Sequence, residues 1–227
     1  LYLDGLLLAN LLGNDNTDYT PRWGMVAPEE IERVELRYGA FSALYPGNAM
    51  GTVVTLSTRM PEGAEHHARL QYLAQDFSAY GTHDRYAGQQ ASLLLGDRKG
   101  RLSGWLSLNH LSNHSQPLAF VTTTTAPKDG AQPIAGAIAE TDTYGLPRFV
   151  VGATSIEDSR QDSAKLKLAY ELSDALRARY TLGIWHNDTD SGYQRYLHDA
   201  PGKVSLPGLF TLQQQAQTHR LQGLELE

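Results

Sequence analysis

The chain has 227 residues, of which 41% are hydrophobic and 19% are charged, a balance typical of an ordered protein. Its formal net charge of −6 and the absence of any dominant run of basic residues argue against a surface that binds nucleic acid. The absence of cysteine excludes disulfide bonds, thiolate metal ligands and thiol nucleophiles.

The sequence opens with two short apolar runs on either side of Asp4-Gly5, a pair of residues that predicts a tight turn between two strands. A polar loop follows at residues 13–22 and is rich in residues that favour turns. Pro28 and the two glutamates after it are typical of the first turn of a short helix.

Two further strands are predicted before residue 61. Val34, Leu36 and Tyr38 alternate with charged residues, which is the pattern of a half-buried strand. Residues 52–58, "TVVTLST", form another run of strand-favouring residues. Residues 1–61 are therefore expected to form a small mixed α/β unit.

The pattern changes after residue 65, where long alternating segments begin. Leu166, Leu168 and Tyr170 share one parity, and Lys165 and Lys167 share the other. After a turn near residue 174, the even positions of residues 176–184 are apolar again. This pattern predicts a hairpin with one apolar face and one charged face.

An earlier hairpin repeats this design. Alternating apolar residues at 91–95 lead into the turn "GDRKG" at residues 96–100, and residues 102–108 lead out of it. Residues 68–74 and 217–227 suggest two more strands. The sequence thus predicts about six strands of about ten residues after position 65.

The predicted connections alternate in length. The turns near residues 97–100 and 173–175 are short, whereas the connections at about 113–160 and 188–216 are long and polar. Short turns at one end and long loops at the other are typical of an outer-membrane β-barrel. A soluble β-sandwich also alternates and also has regular turns, so alternation alone leaves both architectures open, and the strand length favours the barrel.

Residues 31–58, "IERVELRYGAFSALYPGNAMGTVVTLST", carry a family resemblance. The segment resembles the end of the plug domain of TonB-dependent outer-membrane receptors, in which R-G-P, S-A-L-Y-G and A-x-G-G motifs lead into the barrel. Residues 1–8, "LYLDGLLL", resemble the V-D-G-x-x-L strand pair of the same plug. The chain departs from the motifs at Tyr38, Ala40, Pro46 and Thr52.

The resemblance implies a mainly β protein in two parts. Residues 1–61 would be the C-terminal part of a plug domain, and residues 62–227 would be the first strands of a 22-stranded transmembrane β-barrel. On this interpretation the chain is an internal fragment that lacks the N-terminal region for TonB and the remaining strands. In the family a plug arginine pairs with barrel glutamates, and Arg37 lies nearest to that position of the motif.

The resemblance also implies a function. Such receptors lie in the bacterial outer membrane among its lipids and import a scarce nutrient with energy transmitted by TonB. The ligand is most often a ferric siderophore, and sometimes cobalamin, haem, a sugar or another metal complex. The alternative, from a different class, is a soluble β-sandwich binding module with an α/β cap.

The family's ligand-contacting plug loop corresponds to part of the polar loop described above. The substrate-binding candidates in that loop are Asn14, Asp15, Asn16, Asp18 and Tyr19. The alternative for each of them is that it forms only the turn, because Asn, Asp and Gly are the usual turn residues.

No metal or cofactor site is expected. His66 and His67 are adjacent, so on a strand they point in opposite directions. His110 and His114 lie four residues apart near the edge of a predicted loop, without a zinc-type spacing. These histidines are therefore interpreted as solvated loop residues.

No catalytic residue is expected either, so the protein is interpreted as a non-enzyme. Ser163 and Lys165 lie on the same side of a strand, where the polar neighbours indicate a water-facing barrel interior. Lys167 shares that side and Leu168 faces lipid in this interpretation. Lys167→Leu should then cost much less stability than Leu168→Lys.

Overall fold

The computed structural model describes residues 1–8, 21–39, 45, 51–129, 132–198 and 208–227. Nearly all of its regular structure is β-strand, arranged in long antiparallel ladders, which confirms the prediction of a mainly β protein. Within these ranges, no helix has both the length and the apolar character needed to cross a membrane.

The first four strands form a small sheet with the order β2-β1-β4-β3. The strands are β1 (Tyr2–Leu3), β2 (Leu6–Leu7), β3 (Ile31–Tyr38) and β4 (Thr52–Thr58). β1 and β4 run parallel, and the other neighbouring pairs are antiparallel. Two 3-10 turns, Trp23–Met25 and Pro28–Glu30, complete what we call the N-terminal unit.

The local predictions for this unit are confirmed in part. Asp4 and Gly5 have φ angles of 47° and 80°, so the predicted hairpin turn has the two left-handed residues of a type I′ turn. The helix predicted at Pro28 is a single 3-10 turn, because β3 begins at the very next residue. The half-buried prediction for β3 is wrong: Val34 and Tyr38 are 53% and 75% exposed, since no described residue covers that face.

The remaining strands build the large sheet and its connections. They are β5 (Glu65–Ala79), β6 (Thr82–Lys99), β7 (Leu102–His114), β8 (Ala119–Thr123), β9 (Lys128–Asp129), β10 (Gln132–Pro133), β11 (Ile138–Thr141), β12 (Pro147–Ser173), β13 (Leu176–Arg195) and β14 (Gln213–Leu226). The six long strands are neighbours in the order β14-β13-β12-β7-β6-β5, and each is antiparallel to the next. β8 and β11 pair with the first part of β12, and β9 pairs with β10.

The long strands extend further than the sequence predicts. β12 has 27 residues and β13 has 20, so much of the predicted long loops is strand. The polar residues that suggest a loop, around Asp158 to Asp162, find their partners across the ladder in β7 and β13. A polar segment can continue as a strand where neighbouring strands pair with its backbone and its charged side chains.

The turns are also tighter than predicted. β6 and β7 are joined by Gly100-Arg101 alone, not by the longer "GDRKG" segment. At the opposite end, β5 and β6 are joined by Tyr80-Gly81, so one connection on the long-loop side is short. Tyr80 has a φ of 53°, in the left-handed region that a tight hairpin turn requires.

The two faces of the large sheet differ in what covers them. We call the face that bears Lys165 and Lys167 the inner face, and the face that bears Leu166 and Leu168 the outer face. The N-terminal unit packs on the inner face through a shared apolar cluster. Its buried members are Leu3, Leu8, Met25 and Leu56 from the unit and Trp185 and Leu221 from the sheet.

The connections form a second packed region beyond the end of β7. Phe210 packs there with Val151, and the Tyr80 ring contacts Phe120 with a centroid separation of 4.7 Å. The Tyr80 hydroxyl donates to Glu140 Oε1 at 2.6 Å. The other carboxylate oxygen accepts from the Arg148 guanidinium, so the tip of the β5–β6 hairpin is tied to β11 and β12.

Gly152→Ala should destabilise this second region by about 1–3 kcal/mol, the usual cost of overpacking. A Cβ at this position would overlap the Phe210 ring and lie 2.6 Å from the Gln194 carbonyl oxygen. Gly192→Ala on the neighbouring strand is the control, because its nearest contact would be 3.6 Å from the Ile156 carbonyl oxygen. Thermal unfolding of the two variants measures the difference, and equal effects would contradict the packing described for Gly152.

The contact between Tyr80 and Glu140 should weaken in acid. The hydrogen bond from Tyr80, with a smaller contribution from Arg148, holds the pKa of Glu140 below its ordinary value, and burial offsets part of this effect. The stabilisation is fully present above the ordinary pKa of glutamate and is lost as the pH falls through the lowered value. Amide hydrogen exchange at the hairpin tip should therefore be faster at about pH 3 than at about pH 7, after correction for intrinsic rates. Glu140→Gln should remove this pH dependence, and an unchanged dependence in that variant would assign it to another group.

Candidate functional site

Two lysines of β12 are buried where the N-terminal unit meets the inner face. Lys165 is 4% exposed, and its ammonium group pairs with the Glu30 carboxylate, which is fully buried. Lys167 is 1% exposed and lies two residues further along the same strand. Both lysines point to the same side because side chains on a strand alternate. The expectation that this side faces water is therefore wrong for these two positions.

The second lysine has several partners in the N-terminal unit. Lys167 Nζ donates to Asp4 Oδ2 at 2.9 Å and to Thr58 Oγ1 at 2.6 Å. The same Asp4 carboxylate accepts hydrogen bonds from the backbone N–H and the hydroxyl of Thr58 at 2.8 and 2.7 Å. The type I′ turn thus presents Asp4 to the sheet, and β4 holds the carboxylate in place.

The local backbone explains how the two carboxylates reach the sheet. Glu30 is the last residue of a 3-10 turn, directly before β3, and Arg59, directly after β4, donates its backbone N–H to the Glu30 carbonyl at 3.0 Å. Trp105 on β7 donates its indole N–H to the Arg59 carbonyl at 2.8 Å. The Trp105 ring also lies 5.7 Å from Lys165 Nζ, which adds a favourable contact with the cation.

This arrangement has an energetic consequence. A buried ammonium group costs several kcal/mol of desolvation unless a carboxylate and further hydrogen bonds compensate it. Moving the N-terminal unit so that Asp4 or Glu30 leaves the sheet would therefore leave a buried lysine unpaired and cost free energy. For the same reason Lys167→Leu, expected to cost little, would leave Asp4 without its cation.

Small residues lie next to these lysines on the inner face. The sequence interpretation did not use this pattern, which indicates that the lysines are buried at an interface. Ser103, Ser107, Ala169 and Gly183 lie on the same face and leave room for another element to approach. Two lysines among small side chains indicate a packed interface and not a solvated wall. The resemblance predicts an arginine of the N-terminal unit paired with glutamates of the large sheet, but here the sheet supplies the lysines and the N-terminal unit supplies the carboxylates. Arg37 lies 5.9 Å from the Tyr45 ring and has no carboxylate partner among the described residues.

Further along the inner face, uncharged polar side chains replace the lysines. The strand register aligns two rows across all six long strands, and together they contain twelve positions. Nine of these positions carry an amide or a hydroxyl group, and none carries a charge. We call these nine residues the amide wall: Gln71, Gln90, Asn113, Ser159, Gln161, Asn187, Thr189, Gln215 and Gln217.

The amide wall begins where the N-terminal unit ends. Gly24 approaches the sheet so closely that a Cβ there would lie 2.7 Å from Gln161 Oε1. A cavity of about 90 Å³ lies at this junction, lined by residues that include Gln90, Asn109 and Trp185. Asn109 Oδ1 is buried and has no hydrogen-bond partner among the described residues. The junction therefore offers polar groups to a small ligand or to water.

The predicted substrate-binding residues are not tested by this geometry. Asn14, Asp15, Asn16, Asp18 and Tyr19 all lie outside the described residues.

The histidines predicted in loops lie on strands instead. His110 and His114 belong to β7 and point to the outer face, where their Nδ1 atoms lie 2.7 Å from Asp162 and Asp158 of β12. The sequence interpretation missed these pairs because it ended both strands too early. Across the part of the chain that the structure describes, no three side chains of the metal-binding types come together.

No protein-family model matches the chain, and no curated protein matches it significantly.

The Lys165–Glu30 pair can be tested with a double-mutant cycle. Lys165→Met should lower the free energy of unfolding by about 3–5 kcal/mol, because it leaves a buried carboxylate without its partner. Adding Glu30→Met should recover much of this loss, because the two apolar side chains then pack together without an unpaired charge. Equilibrium unfolding followed by tryptophan fluorescence measures each step.

The control is a cycle on the exposed Arg85–Asp76 pair, whose closest charged atoms are 3.7 Å apart. Removing either of its partners should change the stability by less than about 1 kcal/mol. Additive losses in the Lys165 and Glu30 variants would show that the two side chains do not depend on each other.

Proposed function

We propose that the chain is part of a TonB-dependent outer-membrane receptor that imports a scarce nutrient. In this proposal residues 1–61 are the C-terminal part of the plug, and residues 62–227 are the first strands of the barrel. The motifs at residues 31–58 and 1–8 suggest the family, and three features of the structure support it.

The first supporting feature is an extended apolar surface on the outer face. Leucine and other apolar side chains from the six long strands lie side by side there, and no described element covers them. Large members that are at least one-third exposed include Leu70, Tyr72, Leu95, Leu102, Leu106, Leu108, Leu168, Tyr170, Ile184, Leu224 and Leu226. A continuous apolar surface of this kind is typical of contact with a membrane or with another protein.

The second feature carries the proposal. It is the direction in which the apolar surface of the outer face, which we call the apolar belt, crosses the strands. The middle of the apolar run lies near residue 180 on β13, 168 on β12, 105 on β7, 93 on β6 and 71 on β5. The strand pairings match each of these middle residues to a residue of β12. The matched β12 positions, from β13 to β5, are 168, 168, 167, 164 and 161, so the belt shifts by seven residues over four strand boundaries. The rise is about 3.3 Å per residue and the spacing is about 4.8 Å between strands. With these values the belt lies parallel to the membrane plane when the strands tilt by about 50° from the membrane normal. Strands of outer-membrane barrels tilt by about 35–45°.

The third feature is the position of the N-terminal unit. It packs on the inner face, opposite the apolar belt, and Lys165 and Lys167 bind its carboxylates there. A plug inside a barrel would occupy this side of the wall. The alternative, a soluble β-sandwich with an α/β cap, requires a second sheet on the apolar side. Within the described ranges the small sheet of the N-terminal unit lies on the inner face, and the apolar side chains of the outer face stay exposed.

The proposed activity is transport without any chemical change in the ligand. A ferric siderophore is the ligand that the family resemblance puts first, with cobalamin, haem, a sugar or another metal complex as the others. Asn14, Asp15, Asn16, Asp18 and Tyr19 remain the proposed plug contacts to it. TonB and the lipid of the outer membrane are the proposed partners.

Leu168→Lys should cost about 2–4 kcal/mol of folding stability in an outer-membrane barrel, because it places a charge in hydrocarbon. Ser112→Lys is the matched control, since Ser112 lies on the same face beyond the apolar belt, where a lysine costs about 0–1 kcal/mol. Refolding into lipid vesicles with a urea titration measures both variants. A water-soluble monomer in which Leu168→Lys is harmless would overturn the membrane proposal.

The transport proposal is tested in cells that produce the protein from its complete gene. Uptake of ⁵⁵Fe bound to a siderophore should exceed that of cells without the protein and should cease when TonB is deleted. Uptake that persists without TonB would contradict the energy coupling, and uptake of another nutrient class with TonB dependence would correct only the ligand.

A further inference from the structure

The amide wall has an unusual charge pattern for a protein face. None of the twelve positions in its two register rows is charged, whereas the outer face of the same strands carries five charged residues in the adjacent rows. These five are Asp158, Arg160, Asp162, Asp188 and Asp190. In this part of the sheet the absence of charge is therefore confined to the two inner-face rows and is not a property of this stretch of the sequence.

Several side chains of the wall have free hydrogen-bonding capacity. Asn187 donates to Thr189 at 3.1 Å, and Gln161 Oε1 lies 3.4 Å from the indole nitrogen of Trp185. The other amides make no side-chain hydrogen bond to any described residue, and all of them are at least partly exposed. They are Gln71, Gln90, Asn113, Gln215 and Gln217.

The chemistry of these groups selects for a neutral, hydroxyl-rich ligand. An amide offers two donors and a carbonyl acceptor, so it can bind a hydroxyl group in either role. An anionic ligand would instead require arginine or lysine, which bind anions with charge-assisted hydrogen bonds. The nearby lysines, Lys165 and Lys167, are already occupied by Glu30 and Asp4.

An exposed aromatic residue is the chain neighbour of the residue that contacts the wall. Trp23 is 51% exposed and precedes Gly24, which lies against Gln161. Ligand sites commonly combine aromatic side chains with a few directed polar groups.

We propose that the amide wall binds a neutral oligosaccharide. The inference rests on the proposed function, because it places the ligand on the barrel interior next to the plug. A sugar then takes the place of the ferric siderophore as the ligand class, the siderophore uptake expected above is not observed, and the receptor function is unchanged.

The experiment measures binding by the purified full-length protein in detergent, so it does not depend on transport. The probes are maltohexaose, xylohexaose, N-acetylchitohexaose, a ferric tris-catecholate siderophore and a neutral ferric hydroxamate siderophore. At least one glycan should bind, and neither siderophore should bind with comparable affinity. A panel in which no glycan binds, or in which a siderophore binds best, would overturn the inference.

Paired variants locate the binding face. Gln90→Leu and Gln215→Leu remove inner-face amides and should each weaken glycan binding about tenfold, the effect of losing one or two hydrogen bonds. Gln89→Leu and Gln214→Leu change the adjacent residues, which point to the outer face, and should leave the affinity unchanged. Equal effects of the inner and outer variants would show that the glycan does not bind this wall.

The outcomes separate the inference from the proposed function. TonB-dependent siderophore uptake without glycan binding would overturn the oligosaccharide assignment and support the receptor. Glycan binding by a protein that does not insert into lipid vesicles would overturn the receptor proposal while retaining the amide wall as a sugar site.

Discussion

The period of two in a β-strand is the constraint on which the rest of this structure depends. On β12 it sends Lys165 and Lys167 to one side and Leu166 and Leu168 to the other. Desolvated ammonium groups require carboxylate partners, so the lysine side recruits Glu30 and Asp4 and with them the N-terminal unit. The leucine side has no partner among the described residues and continues across the sheet as the apolar belt.

The register between neighbouring strands aligns their side chains into continuous surfaces that cross the sheet. Each antiparallel pairing aligns residues of equal facing, so chemical character extends in rows from β5 to β14. The apolar runs are staggered against these rows, and the belt consequently crosses the strands obliquely. On the inner face the same rows separate the lysine contact from the amide wall, which lies immediately beyond the N-terminal unit.

Local patterns in the sequence predict much of this fold for identifiable reasons. Asp4-Gly5 predicts its hairpin because few residue pairs accept two positive φ angles, and alternation predicts strands because a buried or lipid-facing side must be apolar. Prediction fails where that rule does not apply. The segment around Asp158 to Asp162 is polar on both sides, and only its neighbours β7 and β13 make it a strand. Similarly, the alternation in β3 predicts a covered face but cannot supply the element that covers it.

Alternation in the sequence alone thus specifies which side chains share a face, because that depends on single-strand geometry. It does not specify which face is covered, because burial depends on elements far apart in the chain: Lys165 and Glu30 are separated by 135 residues. The pairing of β12 with β7 and β13, the staggering of the apolar belt and the alignment of the amide wall all arise from register between distant strands. Register is a property of the assembled sheet, and for that reason the candidate site becomes visible only in three dimensions.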